Sequence, residues 1–377
     1  MFQTLWCHVS DCGACTAAVA EGKKGGAVGV KFGLFDHMTR PPGTALDELY
    51  NRRIAAVSRA EKAGVHGYYV AEHHGHRLAT APSQLVWLAA LARETDRIRL
   101  GTMVACLPLH HPLRLAEEIC MVDQLSRGRL ELGVGRGISP FEQNFFGHAA
   151  DEARGRFQES LELILSALTT GRMNTEGRTY YTFPEAELSM ETFQKPGVPI
   201  WYPGNIEYAG RNGFNAVVPV PPSAAQRTAY QEFIDTGLAS GDRLNPRSSD
   251  ATLACSQFLV VARTDEEARD IAYRNVTALN NLMRRSSSAA PPHLQEPLPP
   301  VPDDPAVPFS TIGAFQREVA VCGSPQTVRD YFLARAGENE DSYFIVGTAI
   351  GDMSLAESEE SLRLFLNEVL PAFQDAA

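Results

Sequence analysis

IRLGTMVACLPLHHPLRLAEEICMVDQLSRGRLELGVGRG, residues 98–137, decides the fold. Residues 98–106 form a nearly unbroken apolar run, the pattern of a strand covered on both faces. Leu107-Pro108 stops it. From 112 to 125 the apolar residues Leu113, Leu115, Ile119, Val122 and Leu125 return at helical spacing, and Pro112 suits a first turn. Ser126-Arg127-Gly128 turns the chain. Leu130, Leu132 and Val134 then begin a second strand, which ends in Gly-Val-Gly-Arg-Gly. Strand, helix, strand is a βαβ unit, with parallel strands and a right-handed crossover. Chemistry is expected where these strands stop, near 103–111 and 135–138.

The pattern repeats on both sides. Upstream, 31–36 is a short strand, and Thr44 with Asp47 predicts a capped helix striped by Leu46, Leu49, Ile54, Val57 and Ala60. A strand over 67–71 runs into Glu72-His73-His74-Gly75-His76, and 82–95 is helical. Downstream comes a loop holding Phe141, Phe145 and Phe146, then a helix over 151–168. The connection 170–199 is long and predicts a hairpin insertion from Tyr180–Pro184 and 187–190. Strands follow at 199–202, 216–220, 253–262 and 343–348, with helices at 207–212, 224–238, 265–282 (capped by Thr264), 324–336 and 358–373. Residues 285–310 are dense in Ser, Ala and Pro and predict a mobile excursion or lid. Eight strands with helices between them predict an α/β chain closed into a (β/α)8 TIM barrel with insertions. The rival open sheet would want G-x-G-x-x-G after the first strand, and Phe32-Gly33-Leu34-Phe35 offers none.

The 377 residues, 44% hydrophobic and 21% charged, suffice for one large barrel. Acidic side chains outnumber Lys and Arg by 45 to 34, for a net charge of −11, which argues against nucleic acid. No apolar run approaches the ~18 residues of a membrane span. Seven scattered cysteines, an odd count, predict reduced thiols and a cytoplasmic protein rather than a disulfide frame. Cys12-Gly13-Ala14-Cys15 has no second pair and no βαβ context, so no redox or metal role is assigned to it. Residues 1–29 are expected to be a disordered extension, or an N-terminus assigned too far upstream, ahead of a single barrel domain at 30–377.

The strand ends present His37, then Glu72, His73, His74 and His76, then 103–111, then Arg136. Glu72 with His74-x-His76 has metal-ligand character, but the later strand ends supply no further ligand, and no metal is expected. An organic anion is the better candidate. Arg136 follows a glycine pair and Arg154 opens the next helix, and a helix start with two guanidinium groups is a phosphate site. The alternative for Arg154 is a solvated pair with Asp151 or Glu152.

In this order, YYVAEHHG (68–75), LGTMVACLPLHHPLRLAEE (100–118), DQLSRGRLELGVGRG (123–137) and the Arg154 helix resemble the bacterial luciferase-like flavin-dependent monooxygenases, which are (β/α)8 barrels. The resemblance covers about 31–373. It implies that His73 is the catalytic histidine and Glu72 the acid beside the flavin. It places Met103-Val104 at a non-proline cis peptide under the flavin ring, and Arg136, Ile138 and Arg154 around the flavin phosphate. Gly135 stands where luciferases proper carry a reactive cysteine. The loop after the 199–202 strand is shorter than in relatives, which leaves Asn205 and backbone amides as the remaining phosphate ligands there. A closed apolar pocket is expected around the flavin, lined by Phe35, Trp201, Phe141 and Phe145 and covered by the 170–199 and 285–310 insertions.

The implied activity uses reduced FMN, delivered by a separate flavin reductase, and O2 to oxygenate a small apolar substrate such as an aldehyde, ketone or terpenoid. Two alternatives stay open. One is hydride transfer from a reduced deazaflavin on the same fold. The other is a non-catalytic flavin-binding subunit. On any of these readings the chain is expected to form a homo- or heterodimer.

Overall fold

In the computed structural model the chain is described over residues 29–245, 251–302, 304–336 and 342–374. The expectations for 1–28, including Cys7, Cys12 and Cys15, lie outside these residues. Among the described residues there are eleven strands: β1 (Lys31–Asp36), β2 (Gly67–Val70), β3 (Arg99–Cys106), β4 (Leu130–Gly135), β5 (Arg172–Met173), β6 (Ala186–Glu187), β7 (Ile200–Pro203), β8 (Asn215–Val218), β9 (Leu253–Val261), β10 (Ala320–Gly323) and β11 (Tyr343–Gly347). The parallel order β11-β1-β2-β3-β4-β7-β8-β9 closes through β9–β11 and makes the eight-stranded barrel. These are the eight strands expected from the sequence.

β10 is an addition. It pairs in parallel with the last four residues of β9, beyond the part that pairs with β8 and overlapping the β11 pairing only at Phe258. The helices wrap the outside, and the main apolar core lies between them and the strands: Leu34, Tyr68, Leu100, Leu132 and Ile200 meet Val57, Leu88, Ile119, Leu161 and Phe365.

Several local expectations need correction. Thr44 does not cap the first helix, Leu46–Lys62; its N-cap is Ala45, without a side-chain hydrogen bond. Instead Thr44 closes the preceding turn, its N–H donating to Pro41 O at 3.2 Å. Thr264 and Pro112 take their expected helix-start positions. The segment after Gly137 is not all loop, since Pro140–Phe145 is a short helix. The hairpin insertion is a two-residue antiparallel pair, β5 with β6, and 180–184 connects them rather than forming a strand. It packs Met173, Tyr181 and Leu188 sideways against Cys120, Leu163 and Ala167, outside the barrel.

β3 and β4 hold the feature that shapes the site. Their register runs Thr102 with Leu132, then Ala105 with Val134, so β3 carries one extra residue. The peptide Met103-Val104, inside this bulge, is cis, as the resemblance implied. Two glycines of β4 make room for it. A Cβ on Gly133 would sit 2.1 Å from Thr102 O, and one on Gly135 would sit 2.4 Å from Val104 Cγ2. A reactive cysteine at 135 would therefore collide with this β3 bulge.

Candidate active site

The ends of β1, β2, β3, β4 and β7 and the start of the helix Ala153–Thr170 surround a cavity of about 950 Å3. Glu72, His73, Met103, Val104, Arg136, Ile138, Arg154 and Asn205 all border it. Residues spread over 134 positions of sequence thus meet because the βα loops share one face of the barrel. His37, Cys106, Glu142, Gln158, Tyr202 and Tyr208 complete the wall.

At one end lie buried carboxylates and imidazoles. The side chain of Glu72 is wholly covered. His74 Nε2 approaches its Oε1 at 2.9 Å, His110 Nε2 approaches the same oxygen at 2.9 Å, and Cys106 N donates to its Oε2 at 2.8 Å. Burial pushes this carboxyl up, but the charge and hydrogen bond of His110, the His74 hydrogen bond and the Cys106 amide outweigh it and hold it at about 2. Burial pulls His110 down, yet the Glu72 charge and hydrogen bond raise it on balance. The two partners agree on an ionised pair. Glu72 thereby ties the β2 exit to the β3 exit.

His73 belongs to a second acid. Its Nδ1 lies 3.1 Å from Glu142 Oε1 on the short helix after β4. His37 stacks on His73 with ring centroids 6.4 Å apart, and burial first, then the charge of His73, hold it at about 3. Burial, then Glu72 and Glu142, also push the Cys106 thiol up, so it stays protonated.

The remaining histidines separate. His76 turns toward Phe141 at 6.4 Å, and its Nδ1 accepts the Leu78 N–H at 3.0 Å. His74 bonds Glu72 instead, so His74-x-His76 does not converge on one point. Among the described residues no cluster of three His, Cys, Asp or Glu side chains is arranged to hold a metal ion. His111 packs on Phe183 at 5.1 Å, away from the cavity.

The other end is cationic. Among the described residues, the Arg136 and Arg154 guanidinium groups make no hydrogen bond or ion pair. Arg156, two residues on, is the one that pairs with Glu152, at 2.9 Å, and lies over the Tyr180 ring. Tyr202 lies near both free groups: burial raises its hydroxyl, and the charges of Arg136 and Arg154 oppose that rise. Asn205 Oδ1 accepts the Tyr208 N–H at 2.9 Å, capping the helix Ile206–Asn212 and leaving its amide N–H groups for a ligand.

The expected lining is only partly met. Phe35 borders the cavity, whereas Trp201, Phe141 and Phe145 do not. Trp201 lies deeper, donating from Nε1 to Glu131 at 2.7 Å. Phe141 is buried against Phe145, which is half exposed. Among the described residues, none from 170–199 or 285–310 lines the cavity, contrary to the expected cover. Sequence reasoning missed Glu142, which no local motif marks, and it assigned no role to His110 or Tyr202.

The cavity thus has a cationic end for a dianion and a largely buried end with fixed imidazoles. That polarity could hold a flavin or deazaflavin, with a phosphate near Arg136, Arg154 and Asn205 and the ring near Met103-Val104 and His73.

The comparisons with known proteins agree. The sequence model described as luciferase-like monooxygenase matches residues 30–338. The oxygenase component of a flavin-dependent trigonelline monooxygenase from Acinetobacter baylyi is 28% identical over 370 residues, 92% of this chain and 96% of that one. A monooxygenase from Streptomyces bottropensis has the same fold, with a TM-score of 0.71, 24% identity and coverage of 91% of this chain and 100% of that one. So does the oxygenating constituent of 3,6-diketocamphane monooxygenase from Pseudomonas putida, solved with FMN, with a TM-score of 0.67, 20% identity and coverage of 91% and 98%. No helix among the described residues is long and apolar enough to cross a membrane. The chain belongs to the luciferase-like monooxygenases, a family of flavin-dependent oxidoreductases.

Proposed function

We propose that this chain is the oxygenase of a two-component flavin monooxygenase. It takes reduced FMN from a separate flavin reductase and uses O2 to oxygenate a small uncharged substrate, such as an aldehyde, ketone or terpenoid. The observation that carries this reading is the pair of free guanidinium groups, Arg136 and Arg154, across one cavity from His73. Reduced FMN would supply the electrons that activate O2.

The chain's own residues have separable tasks. Arg136 and Arg154 bind the phosphate, and Asn205 adds amide donors beside Tyr208. Val104 and Met103 bed the ring, and with Phe35 they keep water from that end of the cavity. Glu72, its oxygens occupied by His74, His110 and Cys106, fixes the wall beside the ring. His73 Nε2 accepts and returns the proton of the oxygenation step. His37, held at about 3, is uncharged at working pH and presents a neutral polar atom to substrate. That neutrality supports an uncharged substrate over an anionic one.

The relative named as an oxygenase component supports a reductase partner. The test is O2 consumption. Reduced FMN fed by a flavin reductase should give O2 uptake coupled to an oxygenated product with one of a panel of aldehydes, ketones and terpenoids. Uptake never coupled to product with reduced FMN, together with hydride transfer from a reduced deazaflavin without O2, would replace this reading by the deazaflavin one.

A further inference from the structure

We infer that Glu142 is the positioning residue for His73: it fixes the imidazole tautomer and holds its bare nitrogen toward the cavity. This role rests on the oxygenase reading, because His73 must be the group that handles the proton.

The geometry is specific. Glu142 is 2% exposed, on the helix Pro140–Phe145. Its Oε1 lies 3.1 Å from His73 Nδ1 and accepts the backbone N–H of His74 at 3.1 Å. A carboxylate oxygen already taking one N–H can only accept, so Nδ1 must be the nitrogen that carries the proton. Nε2 is then the bare nitrogen, and both His73 and Glu142 border the cavity. When Nε2 takes a proton, the cation that forms sits beside a buried carboxylate, and Glu142 itself takes none.

Among the described residues, no other acid bonds His73. Glu72 is the neighbour in sequence, but its bonds go to His74, His110 and Cys106. The two carboxylates divide the work: Glu72 locks the strand exits together, and Glu142 aims His73.

Glu142 is also braced. Gln143 Nε2 donates to Arg136 O at 3.3 Å, and Gln143 O accepts the His148 N–H at 3.0 Å. Phe141 is buried beside Glu142, its ring 5.5 Å from Phe145. One segment after β4 therefore carries both the phosphate-binding Arg136 and the acid behind His73.

The alternative is that Glu142 only secures the His74 amide. The experiment uses the 15N-labelled full chain without flavin, at about pH 8, where an ordinary histidine is neutral. Histidine NMR reads which ring nitrogen of His73 is protonated in the wild type, Glu142→Gln and Glu142→Leu. The wild type should show Nδ1–H. Glu142→Gln keeps an acceptor oxygen and should keep that tautomer, whereas Glu142→Leu should move the proton toward Nε2. With reduced FMN, kcat should fall roughly 10-fold for Gln through loss of the charge and roughly 100-fold for Leu. The FMN Kd should stay within about 3-fold, since the phosphate ligands are untouched.

His73 protonated on Nε2 in the wild type overturns the assignment. So does kcat falling only in step with the folded fraction in Glu142→Gln. If Glu142→Leu does not fold, Glu142→Gln carries the test. A tautomer that follows Glu142 in a wild-type chain that never oxygenates anything leaves the orientation standing and overturns the oxygenase reading.

Discussion

Glu131 and Arg136 lie on one strand and its exit, and they mark two ends of the barrel with opposite charge habits. At the Glu131 end the buried carboxylate is answered on every side. Tyr69 OH donates to Glu131 at 2.5 Å, Trp201 Nε1 at 2.7 Å and Arg99 Nε at 2.8 Å, while Tyr343 OH lies 3.0 Å from Tyr69 OH. At the Arg136 end, among the described residues, two guanidinium groups are answered by nothing. A closed set of charges is scaffold, and an open set bordering a cavity is waiting for a ligand. The histidine end combines the two: its acids are satisfied, but His73 keeps one nitrogen for the cavity.

The largest expected effect is at His73. His73→Ala should lower kcat about 10²- to 10⁴-fold, the range of a lost proton-transfer group, with the FMN Kd within about 3-fold. Stopped-flow turnover and fluorescence titration measure the two separately. Turnover preserved in the variant would remove His73 from the chemistry.

Next comes the closed end. Glu131→Ala leaves Arg99 without its carboxylate partner and the Tyr69 hydroxyl and Trp201 indole short of an acceptor, and should cost about 3–5 kcal/mol of unfolding free energy. Urea unfolding measures it. Flavin affinity of the protein that remains folded should not change. A stable variant with weakened flavin binding would erase the distinction between the two ends.

The smallest effect is one of pH. Glu72 is held at about 2 against an ordinary 4.5, because His110, His74 and the Cys106 amide outweigh its burial. The stability it contributes is fully present above pH 4.5 and drains away as pH falls toward about 2. His37 sits at about 3 against 6.5, so below 6.5 the unfolded chain takes a proton that the folded chain refuses, and stability falls there too. His110 has the opposite sign: raised from 6.5, its share is present below that value and is lost as pH climbs through its folded one. Glu72→Gln should flatten the acid arm of stability against pH, read from urea midpoints at stepped pH. An arm of unchanged slope would mean that Glu72 is not ionised in the fold.

The barrel was legible in the sequence because strands buried on both faces read as apolar runs and each ends in a turn. β10 escaped because it is only four residues long, Ala320–Gly323, and pairs on one side only, with the end of β9. The hairpin was misplaced because Tyr180-Tyr181-Thr182 has strand-forming residues, yet Glu159 accepts the N–H groups of Thr179, Tyr180 and Tyr181 and holds them as a loop. At the site, Arg136 and Arg154 were legible as cations at a strand exit and a helix start. Which of Arg154 and Arg156 would pair with Glu152 was not, because both can reach a carboxylate on that turn. Trp201 was placed in the lining because it sits on the β7 strand, but Glu131 draws its indole down into the barrel floor. Glu142 was illegible for a plainer reason. It is 69 residues from His73, and only the side-by-side pairing of β2, β3 and β4 brings their exits together.

Binding of reduced FMN and reduced riboflavin, compared in the wild type and in Arg136→Ala, tests the phosphate assignment without any turnover. The wild type should bind FMN at least about 10-fold more tightly than riboflavin, as expected of charge-assisted hydrogen bonds from two guanidinium groups. In Arg136→Ala that gap should shrink while riboflavin affinity holds. Equal affinity for the two flavins in the wild type, or a loss in Arg136→Ala shared equally by both, would contradict a phosphate at Arg136.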